Sequence, residues 1–202
     1  MRLTHWKARK MMKAQNGDLN LAGMPITRLP KRLTVNGDLD LKNTQITELP
    51  EGLTVEYDLH LENTPITQLP KGLTVGGSLN LRGTPITQLP EGLTVGGSLD
   101  LQGTPITQLP EGLTVGGDLD LRNTPIGSIP KGLTVGGGLY LGGNLHLEGT
   151  QITQLPEGLT VGDGLYLYDS LDLTKTQIAQ LPEGLTVGGD LNLMWTPITS
   201  LP

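Results

Sequence analysis

The 202-residue chain has no cysteine and no phenylalanine, and aromatic residues make up only 3% of it. Without cysteine there is no disulfide, no thiolate metal site and no cysteine nucleophile, and the redox compartment leaves no trace. Without large rings, the core has to be aliphatic and thin. No stretch is long or apolar enough to span a membrane. The N-terminal run MRLTHWKARKMMKAQ is basic but lacks the apolar segment of a secretory signal. A cytoplasmic location is the default expectation, with export by a route that uses no cleaved signal left open. Acid is absent from residues 1–15, which hold Arg2, Lys7, Arg9, Lys10 and Lys13. The remaining residues carry nine basic against 20 acidic side chains.

Glycine and proline are what the chain has in excess, at 29 and 15 residues, without the every-third-residue period of collagen. They recur on a longer period. Aligning the L-x-L pairs gives units at 16–35, 36–55, 56–75, 76–95, 96–115 and 116–135, two longer units at 136–161 and 162–187, and a partial one at 188–202. The consensus is G-G-x-L-x-L-x-x-T-x-I-T-x-L-P-x-G-L-T-V. Apolar and polar residues alternate through L-T-V and L-x-L, the pattern of half-buried strands. Leu33, Val35, Leu39 and Leu41 are expected to point inward; Thr34, Asp38 and Asp40 are expected outside. The glycine pair between the strands reads as a turn using positive φ. Proline cannot donate to a ladder, so T-P-I-T-Q-L-P reads as an extended back.

The expected fold is therefore an all-β repeat solenoid of about nine stacked 20-residue coils, two of them lengthened to 26. A good strand at L-x-L and a shorter one at L-T-V form parallel ladders. Residues 1–15 make a basic cap helix with Thr4 as its N-cap, and Trp6, Met11 and Met12 are expected to cover the first coil. Each 26-residue unit carries six extra residues with a second L-x-L, expected to form an ordered ledge.

The run L-x-L-x-x-T-x-I-x-x-L-P over residues 16–202 resembles the leucine-rich repeat, and its 20-residue period with L-P is similar to the short class of bacterial effectors. That resemblance implies a solenoid whose positions around L-x-L form the main recognition face. Thr44, Thr64 and Thr84 stand where the family has Asn, and L-T-V-G-G-x-L gives the coil a β-helix-like corner. The ligase domain that some such effectors append relies on a catalytic cysteine, so that activity is not implied here.

No nucleophile, base and acid stand together outside the repeat pattern, so the expected function is non-enzymatic, with no cofactor and no metal. His60 and His146 share a column but lie about four coils apart, roughly 19 Å at strand spacing, too far for one ion. The leading expectation is a protein-binding scaffold. Its candidate residues are the late aromatics Tyr140, Tyr166, Tyr168 and Trp195 and the acidic stripe with Asp38, Asp40, Asp100, Asp118 and Asp120. The alternative is self-assembly into a filament or an end-to-end dimer. The last coil reads as an uncapped edge with Asp190, Leu191 and Leu193, and the basic head offers Trp6, Lys7, Arg9 and Lys10. A lesser alternative is ice binding by the Thr column from Thr34 to Thr186. The acidic body argues against nucleic acid as a partner.

Overall fold

A computed structural model describes residues 2–137, 139–141, 160–161, 165–167, 180–187, 191–192 and 197–199. The chain winds as a parallel β-solenoid with a 20-residue step. About six turns are traced through the described residues, fewer than the nine units of the sequence. Strands of the remaining units continue both ladders.

Two sheets run the length of the solenoid. The L-x-L sheet has nine strands, from Leu19–Asn20 and Leu39–Asp40 to Leu165–Leu167 and Leu191–Asn192. The T-V sheet has eight, from Thr34–Val35 to Thr186–Val187. Among the described residues, every strand pairs with its counterparts one coil away, so Leu39 faces Leu59 and Val115 faces Val135. The L-T-V strand was expected to be the shorter. In the regular coils both strands are two residues long, because tight corners follow each at once.

Six apolar side chains per coil fill the interior of the first six coils. In the second coil these are Leu39, Leu41, Ile46, Leu49, Leu53 and Val55, at most 6% exposed. The next coil repeats them at Leu59, Leu61, Ile66, Leu69, Leu73 and Val75. Aliphatic columns of equal width stack coil on coil, and a ring in one coil would force its neighbours apart. This is the physical reason the chain does without phenylalanine.

Each of the first six coils turns at three places, and left-handed backbone lies at two of them. In the first, Leu41 C=O accepts from Thr44 N–H at 3.2 Å, with Asn43 at φ 56°. In the second, Pro50 C=O accepts from Leu53 N–H at 3.3 Å, with Gly52 at φ 67°. The third corner is the glycine pair, and here the expectation of positive φ fails. None of Gly76, Gly77, Gly96, Gly97, Gly116 and Gly117 is left-handed. Close approach is what demands glycine: a Cβ on Gly96 would lie 2.0 Å from Gly76 O.

The threonine three residues after the second Leu of L-x-L is buried in coils two to six, at Thr44, Thr64, Thr84, Thr104 and Thr124. Thr64, Thr84 and Thr104 donate their hydroxyls to Leu61, Leu81 and Leu101 C=O at 2.7 Å. Thr44 is equally buried, yet its Oγ1 has no partner. The same isosteric change therefore has opposite signs in two coils. Thr84→Val is expected to destabilise by about 1 kcal/mol, and Thr44→Val to leave stability unchanged or raise it. Urea unfolding of the two variants beside the parent checks this.

The cap helix α1 spans His5–Ala14, with Lys7 N–H donating to Thr4 Oγ1 at 3.3 Å. Ala8 is fully buried, and Met11 and Met12 pack on the core. Trp6 does not join them: it is 72% exposed, with Lys10 Nζ 5.4 Å from the ring centroid. Ala8, Met11 and Met12 lie three and four apart and share one face, whereas Trp6, two residues before Ala8, falls about 200° round the helix. Gln15 Oε1 accepts from Asn20 N–H at 2.9 Å. It thereby replaces the acceptor that a preceding strand supplies in later coils. Among the described residues, no helix is long and apolar enough to cross a membrane.

Candidate functional site

The L-x-L face carries three outward columns, because alternate residues of a strand point to opposite sides. The first holds Asp18, Asp38, Asp58, Ser78, Ser98 and Asp118. Each of the first five accepts a backbone N–H from the following coil. Asp38 N–H donates to Asp18 Oδ1 at 3.0 Å, Asp58 N–H to Asp38 Oδ1 at 2.9 Å and Ser78 N–H to Asp58 Oδ1 at 2.7 Å. Hydroxyls take over where serine stands: Ser98 N–H donates to Ser78 Oγ at 3.2 Å, and Asp118 N–H to Ser98 Oγ at 3.0 Å. This column stitches coil to coil.

The second column turns the chain. Asn20, Asp40, Asn80, Asp100 and Asp120 each accept, through Oδ1, the N–H two residues on, at 2.9–3.0 Å. Like charges sit one coil apart where Asp100 faces Asp120. The third column answers them: the Arg122 guanidinium grips the Asp120 carboxylate, with Nε 2.9 Å from Oδ1, and Lys42 Nζ lies 3.4 Å from Asp40 Oδ2. Burial pushes the Asp100 carboxyl above the ordinary carboxylate value; the Gln102 N–H opposes this, and the charge of Asp120 adds to it. Ser98, Asp100, Asp118, Asp120 and Arg122 line a shallow depression of about 360 Å³.

His60 interrupts the second column. Its Nδ1 is 3.7 Å from Glu62 Oε1, and both His60 Nδ1 and Glu62 Oε2 are buried without a hydrogen-bond partner. The neighbours that matter to it are Asp38 and Asp58, which with His60 bring one ligand atom each within 4.8 Å of one another. Asp58 lies two residues before His60 in the same coil, and Asp38 comes from the preceding one. His146 lies outside the described residues.

The aromatic candidates are placed in part. The backbones of Tyr140 and Tyr166 pair directly, in three-residue strands Leu139–Leu141 and Leu165–Leu167. Tyr168, Trp195, Asp190 and Leu193 lie outside the described residues, as do the six extra residues of the long units and hence the expected ledge. Leu191 is 37% exposed, whereas its counterparts Leu119 and Leu139 are fully buried. Lys7, Arg9 and Lys10 are exposed on α1. The Thr column stands outward in the T-V sheet, with Thr114 paired to Thr94 and Thr134. It is a single column, flanked along each strand by inward Leu and Val.

A second concave surface escaped the sequence pattern. Arg2, Arg28, Lys31 and Arg32 meet Glu48 and Glu51 around a groove of about 530 Å³ at the N-terminal end. Its signal was legible only as a departure: the first coil reads L-P-K-R where later coils read L-P-E-G, L-P-K-G or I-P-K-G.

Residues 57–107 match a family model described as Repeats of unknown function (DUF5649). No curated protein and no solved structure matches the chain. The match supports a repeat protein, as the ladders do.

Proposed function

We propose that the chain is a non-enzymatic scaffold that binds a protein partner through its L-x-L face, centred on Tyr140 and Tyr166. One observation carries this reading: the two tyrosines are register neighbours in adjacent coils. They stand in the column where the preceding coils place Asn, Asp or His. Paired aromatics on an otherwise small, polar surface supply contact area at little entropic cost, the composition of binding hot spots. The resemblance of L-x-L-x-x-T-x-I-x-x-L-P to the leucine-rich repeat supports the same face. The acidic columns fit less well as contact groups, since their Oδ1 atoms are already engaged by backbone N–H groups.

The test is crosslinking and affinity capture with the full chain, followed by Ala substitution. Tyr140→Ala with Tyr166→Ala is expected to weaken capture of a specific partner at least tenfold. Trp195→Ala belongs in the same series. Unchanged capture by all of these variants would remove the aromatics from the site. A second reading, self-association, is favoured by the exposure of Leu191, whose counterparts Leu119 and Leu139 are buried. Sedimentation across concentration separates the two, since a persistent monomer rejects self-association.

A further inference from the structure

The N-terminal end of the solenoid concentrates cations. Residues 1–32 contain Arg2, Lys7, Arg9, Lys10, Lys13, Arg28, Lys31 and Arg32, against the single acid Asp18. Four of these line the groove. Arg2 is brought there by the backbone: it bridges Arg28 in parallel, Leu3 N–H donates to Arg28 C=O at 3.0 Å, and the Leu3 side chain is buried. Arg28 pairs with Glu48 at 3.6 Å. Among the described residues, Arg2, Lys31 and Arg32 form no such ion pair.

Arg32 supplies a separate indication. Its φ is 52°, and the equivalent residues Gly52, Gly72, Gly92, Gly112, Gly132 and Gly184 have φ of 67–72°. Every described later coil thus uses glycine at this left-handed position, and the first coil alone uses arginine. An L side chain held there costs backbone energy that glycine would not. A strained residue at a concave surface points to a role other than folding.

We propose that this groove binds a small phosphate ester. Four cations against Glu48 and Glu51 leave a surplus of two positive charges, which a phosphate monoester dianion would balance. Guanidinium forks match the geometry of phosphate oxygens. The edges of Leu29, Leu49 and Pro50 form an apolar wall for the organic body. A volume of about 530 Å³ falls within the range of small-molecule sites. A long polyanion fits poorly, because the coils beyond the groove carry most of the 20 acidic residues.

Calorimetric titration of the full chain with adenosine monophosphate tests this, beside adenosine and inorganic phosphate. Flotation with vesicles containing phosphatidic acid, against neutral vesicles, distinguishes a lipid headgroup from a soluble ester. Binding that requires the phosphate, in either format, is expected. Arg32→Gly should weaken it tenfold or more while the melting temperature stays level or rises, and Lys31→Ala should weaken it without altering the fold. The proposal is overturned if the parent binds none of the phosphate probes, if adenosine binds as well as its monophosphate, or if Arg32→Gly binds like the parent. Binding of poly-glutamate with no response to the phosphate probes also overturns it, and would assign the groove to an acidic protein segment.

Discussion

Gly96→Ala is expected to destabilise the solenoid by about 3 kcal/mol, the upper range for overpacking, and to lower the melting temperature by roughly 6–12 °C. The added Cβ would meet Gly76 O at 2.0 Å and Gly76 C at 2.9 Å. Both are backbone atoms, so no side chain can swing aside. The coils would have to separate at the corner, disturbing Gly96 N–H to Val75 C=O at 3.2 Å and Gly97 N–H to Gly77 C=O at 2.8 Å. Two other glycines calibrate the effect. Gly92 has open space but φ 71°, so Gly92→Ala should cost only about 1 kcal/mol. Gly127 has open space and no positive φ, so Gly127→Ala should be neutral or slightly stabilising. Thermal denaturation followed by circular dichroism ranks the three. Equal losses for Gly96→Ala and Gly92→Ala would mean that close approach is not what selects glycine at the corner.

Asp58→Ala is expected to cost about 2 kcal/mol, because it strands the Ser78 N–H that Asp58 Oδ1 accepts at 2.7 Å. Asp58→Ser should recover most of that loss, since Ser98 Oγ accepts Asp118 N–H in the same position of a later coil. The pair separates an architectural carboxylate from a recognition carboxylate. If the column exists to stitch coils, serine substitutes for aspartate in stability, and denaturant midpoints will show it. If serine fails as badly as alanine, the negative charge itself matters to the fold.

Alternation told most of the fold in advance. The inward columns from Leu33 to Leu41 follow from period two alone, and the buried set agrees with them. What alternation cannot report is clearance between coils. The glycine pair looked like a turn needing unusual φ, but its requirement is set by a carbonyl 20 residues earlier. Trp6 looked like a lid because it is large and apolar; helical phase, fixed by Ala8, Met11 and Met12, turns it outward. The groove was hidden for a similar reason. Arg2 and Arg32 are far apart in the chain, and only the bridge between Arg2 and Arg28 brings them together. Asp58 precedes His60 by two residues in the same coil, and Asp38 joins them only when successive coils are laid side by side.

The ladders hold their register through a change of step. Thr114 pairs with Thr134 across 20 residues, and Thr134 with Thr160 across 26. Leu139 then pairs with Leu165 across the same 26. What stays constant is the short stretch from Thr-Val to the next Leu, which spans the same five-residue offset at Thr34 to Leu39 and at Thr160 to Leu165. That stretch works like the tooth of a gear, and the number of residues between teeth can change from 20 to 26 per step. A coding sequence for such a chain can gain or lose a whole unit, or lengthen one, without redrawing any other. Variation in copy number and in unit length is thereby compatible with one ladder register.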